Sequence, residues 1–101
     1  MSNSYFWVKT SGDICTLGLT KQALEDLGNI NYLDFPDIDQ EINAGDELLS
    51  VEAEKAVSEL DSPVSGTVYK INNDLIDNLD KLNNDPLSEK NYLLQLRQIN
   101  N

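Results

Sequence analysis

The chain has 101 residues, a net charge of −11 and 40% hydrophobic residues. That is enough for one domain with a single core, and too acidic for a surface that binds nucleic acid or anionic membranes. Without histidine, and with one cysteine, the chain cannot build a Ser-His-Asp or Cys-His arrangement, an ordinary zinc site or an intramolecular disulfide.

No apolar run approaches the length needed to span a bilayer. Met1-Ser2-Asn3-Ser4 has neither a basic n-region nor an apolar h-region, and Arg97 is the lone arginine. Neither a signal peptide nor a transit peptide is expected. Cys15 fits a reducing compartment, so a cytoplasmic location is expected. The carboxylates are scattered along the chain, which reads first as solubility and second as a surface for basic enzymes.

In chain order, Tyr5 to Thr10 reads as a first strand, Ser11-Gly12-Asp13 as a turn and Ile14 to Leu19 as a second strand. Trp7 and Cys15 read as core or half-core packing, since no basic partner makes Cys15 reactive. Thr20 caps a short helix over Lys21 to Leu27, with Ala23, Leu24 and Leu27 on one face and Gly28 as its stop. Asn29 to Phe35 is a strand broken by Pro36. Asp37 to Ala44 is a polar connection, with Ile38 and Ile42 expected as anchors into the core.

The stretch from Gly45 to Gly66 has a hairpin pattern. Leu49 and Val51 lead in, Val57 and Leu60 lead out, and Glu54-Lys55-Ala56 forms the tip. Lys55 is the only lysine between Lys21 and Lys70. A lysine at such a tip is ordinarily a solvated charge, Glu52 and Glu54 are ordinarily solubilising, and Gly66 can be required only for its backbone angles. Thr67 to Asn72 alternates as a strand. Leu75, Ile76, Leu79 and Leu82 recur at helical spacing, Asp85-Pro86 ends that helix, and Tyr92 to Leu96 is a last strand. The Asp-rich stretches from Asp34 to Asp46 and from Asp74 to Asp85 lack the calcium-loop pattern and read as solvated loops.

Glu52-x-x-Lys55-Ala56 followed by Ser62-Pro63-x-Ser65-Gly66 resembles the lipoyl-lysine segment of glycine cleavage system H proteins. Upstream, Gly18-Leu19-Thr20, Ala23, Leu27-Gly28-Asn29-Ile30 and Phe35-Pro36 follow that family's order. Downstream, so do Asn72-Asn73-Asp74-Leu75 and Asp85-Pro86. The resemblance covers nearly the whole chain. It implies a mainly β fold, the H-protein variant of the lipoyl/biotinyl barrel-sandwich hybrid, with two small sheets and short peripheral helices. It also implies a non-catalytic carrier with lipoate on Lys55, and lipoylating enzymes that recognise Glu52 and Gly66.

The partners so implied are a lipoate ligase or a lipoyl/octanoyl transferase, then the P, T and L proteins of glycine cleavage. The arm would carry an aminomethyl group or redox equivalents between them. Tyr5-Phe6-Trp7 stands where the family commonly has His-Glu-Trp, and Asn91-Tyr92-Leu93 where it has Gly-Trp-Leu. Such departures keep open an H-like lipoylated relative of an oxidative-stress operon, controlled by ADP-ribosylation through a sirtuin and macrodomain pair. An unmodified interaction module is a further alternative. A biotin carrier shares the general fold but usually has Met on both sides of its lysine, where this chain has Glu54 and Ala56. A monomer is the simplest state for a carrier that visits several enzymes.

Overall fold

The computed structural model describes residues 5–98; the Met1–Ser4 segment, read above as lacking a leader, lies outside them. Strands β1 (Phe6–Ser11) and β2 (Ile14–Leu19) form the expected hairpin, paired from Phe6 with Leu19 to Ser11 with Ile14. Trp7 lies directly opposite Gly18. A Cβ on Gly18 would fall 2.2 Å from Trp7 Cε2, so the indole covers the bare glycine, while its Nε1 donates to Pro86 O at 2.9 Å. Cys15 is buried, with Sγ 3.5 Å from Thr10 Oγ1.

Helix α1 (Lys21–Leu27) has the predicted bounds and caps: Thr20 Oγ1 accepts from Ala23 N, and Gly28 ends the helix at φ +83°. Ala23 and Leu27 are buried and Leu24 packs against the core beside them. Strand β3 (Ile30–Asp34) follows, and β4 is only Glu41–Ile42. The lysine hairpin is β5 (Glu47–Ala53) and β6 (Val57–Asp61), and β7 is Gly66–Ile71. After α2 (Asn73–Ile76), α3 (Leu79–Asn84) and a 3-10 turn at Glu89–Asn91 comes β8 (Leu94–Arg97).

Two antiparallel sheets result, one of five strands in the order β1-β2-β8-β7-β4 and one of three in the order β3-β5-β6. Their inner faces supply Leu17, Leu19, Leu49, Val51, Val68, Leu94 and Leu96, all almost fully buried, and helix residues Ala23, Leu75 and Leu82 close the core. This is the expected mainly β sandwich with peripheral helices. Among the described residues, no helix is long and apolar enough to cross a membrane.

Three local features differ from the sequence reading. Ile42 is buried as expected, but Ile38 is 50% exposed. Asp39, at φ +73°, turns the chain there, and the bonds Asp39 N to Val68 O and Val68 N to Gln40 O anchor the segment through backbone instead. Glu41 and Ile42 continue that ladder as β4 against Gly66 and Thr67, a strand too short for any periodicity to reveal. The single helix expected around Leu75 to Leu82 is two short ones, broken at Asp77-Asn78, where Asn78 Nδ2 donates back to Asp74 O. Such amide side chains compete with helical bonding. Leu75 and Leu82 stay buried, and Ile76 turns outward.

Candidate functional site: the lysine hairpin and its base

The β5–β6 hairpin pairs Glu52 with Val57 and leaves Glu54-Lys55-Ala56 at the tip, closed by a bond from Ala53 N to Ala56 O at 2.9 Å. The tip is docked. Glu54 N donates to Asn29 O at 3.0 Å, and Glu54 Oε1 accepts from Asn29 N at 2.9 Å. Lys55 N donates to Leu27 O at 2.8 Å, and Lys55 Nζ donates to Glu25 O at 2.9 Å. Carbonyls in the last turn of a helix lack intrahelical partners, and cations are favoured at that end. The hairpin tip therefore finishes α1, and α1 holds the tip's backbone in place.

Gly28 makes this contact possible. Its φ of +83° and ψ of −171° lie in a region open essentially to glycine alone. A Cβ there would also meet Glu54 Cβ at 3.0 Å and Lys55 Cγ at 3.3 Å. Asn83 steadies the same base from α3: its Oδ1 accepts from Ile30 N at 2.8 Å and its Nδ2 donates to Ile30 O at 3.1 Å. Local patterns placed Gly28 as a helix stop and Asn29 as a strand start, and the family resemblance took in both without giving a cause. Their meeting with a hairpin 25 residues later left no local signal.

Lys55 is exposed, and neither of its neighbouring glutamates pairs with it: the Glu54 carboxylate is turned to Asn29. Glu52 is exposed on β5, flanked across the sheet by Tyr32 of β3 and Val57 of β6. Further down the same face, Glu47 and Glu59 share a hydrogen bond that raises the Glu59 carboxyl above the usual glutamate range. Repulsion from Glu47, burial and Asp61 act in the same direction.

Gly66 lies elsewhere, buried in the five-stranded sheet as the first residue of β7. Its φ is not positive, so backbone angles do not explain it. The reason is space, because a Cβ would fall 2.6 Å from Arg97 O and 3.1 Å from Leu96 Cβ. The serines of Ser62-Pro63-x-Ser65-Gly66 tie the crossing between sheets. Ser62 Oγ donates to Val64 O at 2.6 Å, and Ser65 Oγ accepts from Ala44 N at 2.8 Å. Among the described residues, no group of three or more Asp, Glu or Cys is placed to hold a metal ion. The two Asp-rich stretches are not plain loops: the first contains β4 and the second is mostly α2 and α3.

The family model described as glycine cleavage H-protein matches residues 1–101. The glycine cleavage system H protein of Thermoanaerobacter sp. (strain X514) is 40% identical over 96 residues, which are 95% of this chain and 76% of that protein. The protein of that name from Rubrobacter xylanophilus is 36% identical over 96 residues, 95% of this chain and 75% of its own. The crystal structure of a glycine cleavage system H protein from Mycobacterium marinum superposes with a TM-score of 0.83 at 25% identity, covering 94% of this chain and 79% of the other. With a family match over its full length and relatives at this identity, the chain belongs to the glycine cleavage H-protein family.

Proposed function

We propose that this chain is a lipoyl carrier of glycine cleavage, loaded on Lys55 and without catalytic chemistry of its own. The observation that carries the reading is the asymmetry of the tip: its backbone is bound to α1 and Asn29, while the Lys55 side chain is exposed and tied by one hydrogen bond to Glu25 O. A tethered group needs that combination of a fixed root and a free arm.

The residues present fit an amide-linked group. Lys55 offers a primary amine outside any ion pair among the described residues. Acylation by a lipoyl adenylate forms the Nζ–acyl bond, breaks the acyl–phosphate bond with release of AMP, and gives up a proton. An alkylammonium must lose its proton before it attacks, so a lipoate ligase or a lipoyl/octanoyl transferase has to supply the base. The amide N–H that remains can still meet Glu25 O. Glu52 is available for direct contact with the loading enzyme. Gly66 is buried and acts at a distance, by keeping β7 close to β8.

The bound dithiolane would cycle between disulfide and dithiol and carry an aminomethyl group, and that reaction chemistry belongs to the cofactor and the P, T and L proteins. The test is to incubate the lipoylated chain with glycine and P protein, then follow the mass of the arm. An aminomethyl adduct that T protein removes supports the reading; an arm that never gains one refutes it.

A second reading, the H-like relative controlled by ADP-ribosylation, rests on a departure from the family's usual sequence at the start of β1. Tyr5, which replaces the family's usual histidine, donates from its hydroxyl to Asp26 Oδ2 at 2.6 Å, one residue from the carbonyl that Lys55 Nζ meets. That bond, aided by burial and the Asp26 charge, raises the Tyr5 phenol above the ordinary tyrosine range. A departure from the family is thus built into the helix end beneath the lysine.

A further inference from the structure

Val57 is 76% exposed, more than any other large hydrophobic side chain among the described residues, and it stands two residues after Lys55. Tyr32, at 52%, is second in that ranking. The two are not scattered. Tyr32 pairs with Glu52, and Glu52 pairs with Val57, so the three form one row across β3, β5 and β6. Directly opposed residues in antiparallel strands project from the same face, with Cβ atoms roughly 5 Å apart. Val57 is β-branched and its strand position is satisfied by backbone pairing, so its exposure serves no packing in this chain. An apolar residue on each side of a carboxylate, on an uncovered sheet face, forms a small mixed docking platform.

We infer that this row is the docking surface for the enzyme that acylates Lys55, with Tyr32 and Val57 as its apolar contacts on either side of Glu52. The inference rests on the carrier reading above. The choice of occupant follows from reach. Enzymes that act on the dithiolane meet the far end of a long arm and can work well away from the sheet. The acylating enzyme reacts at Nζ itself and must come within a lysine's length of the tip, and the row begins at the last pair before that tip. Charge gives the partner its character. Asp34, Glu52 and Glu59 are exposed on this part of the sheet, which bears no lysine or arginine on β3, β5 or β6. The matching surface is therefore basic around an apolar centre, a pairing that steers encounter as well as register.

The test is steady-state lipoylation of the full chain by a lipoate ligase with lipoate and ATP, comparing the natural protein with Tyr32→Ser, Val57→Ser and the double variant. Leu87→Ser, at a 49% exposed apolar residue outside the row, serves as control. Thermal midpoints show that each variant is folded. The inference predicts KM for the carrier about tenfold higher in the double variant, with kcat nearly unchanged and the control at the natural value. Equal kcat/KM in the folded row variants and the natural chain would overturn it while leaving the carrier reading intact. Normal lipoylation of those variants followed by impaired turnover with P or T protein would also overturn it, by assigning the row to that partner. A natural chain that takes no lipoate at all would remove the carrier reading and this inference together.

Discussion

The ε-amine of Lys55 lies 2.9 Å from the backbone carbonyl of Glu25, and the Lys55 backbone N–H lies 2.8 Å from that of Leu27. One residue thus satisfies two carbonyls in the last turn of α1. The backbone contact is compatible with any load on the side chain. The Nζ contact is the one that acylation would alter, because the group would lose its charge and keep a single N–H. A cation near a helix C-terminus contributes about 0.3–1 kcal/mol at an exposed site. Lipoylation is therefore expected to change stability little, and unfolding midpoints of the loaded and unloaded chains should agree within a few degrees.

Gly28→Ala should be the most damaging small change near the tip. It forces a side chain into a glycine-only backbone region and against Glu54 Cβ. The expected cost is ~1–3 kcal/mol by chemical denaturation, with slower lipoylation because Lys55 loses its fixed root. A variant with natural stability would contradict the account of how the tip is held.

Asn83→Ala removes a side chain that serves both backbone groups of the buried Ile30. Leaving buried groups unsatisfied costs ~1–3 kcal/mol. Amide exchange should quicken at Ile30 and along β3, with less effect in the five-stranded sheet.

Glu52→Gln and Gly66→Ala should separate contact from architecture. Glu52 is exposed, so its substitution should leave the unfolding free energy within about 0.5 kcal/mol of natural while slowing lipoylation. Gly66→Ala drives a Cβ against Arg97 O, and backbone does not yield as a flexible side chain does. Overpacking of this kind costs ~1–3 kcal/mol or more, so loss of lipoylation should follow loss of structure.

The Glu47–Glu59 pair sets a pH dependence with a definite sign. The folded state holds Glu59 above its ordinary range, so folding takes up a proton in the interval between the two values. That stabilisation is complete below the ordinary glutamate range and is lost as pH rises through the raised value. Relative to the natural chain, Glu59→Gln should gain in thermal midpoint as pH rises through this interval, and the two should converge below it. Parallel profiles would contradict the pairing.

Sequence patterns reached some of these features and not others for physical reasons. Helix α1 matches to the residue because Thr20 and Gly28 are local signals acting through their own backbone neighbours. The lysine hairpin was legible because alternation on both sides of Glu54-Lys55-Ala56 agrees with a half-buried strand pair. Ile38 misled because hydrophobicity cannot tell a side-chain anchor from a segment held by backbone bonds to Val68. The helix break at Asn78 depends on one amide turning back on Asp74, against an apolar spacing that runs straight through. For Gly66 the position stood out but the cause did not, since the crowding comes from Arg97, on a strand distant in sequence. The docking of the tip on α1 joins residues about 25 apart through main-chain atoms, which carry no sequence signature.

On the carrier reading proposed above, Lys55 is the single point of attachment for lipoate. The direct measurement is the intact mass of the chain after reaction with lipoate, ATP and a lipoate ligase, beside Lys55→Arg. One lipoyl adduct is expected on the natural chain, mapped to Lys55 by peptide sequencing, and none on the variant. No adduct with several ligases, or an adduct that persists in Lys55→Arg, would contradict it.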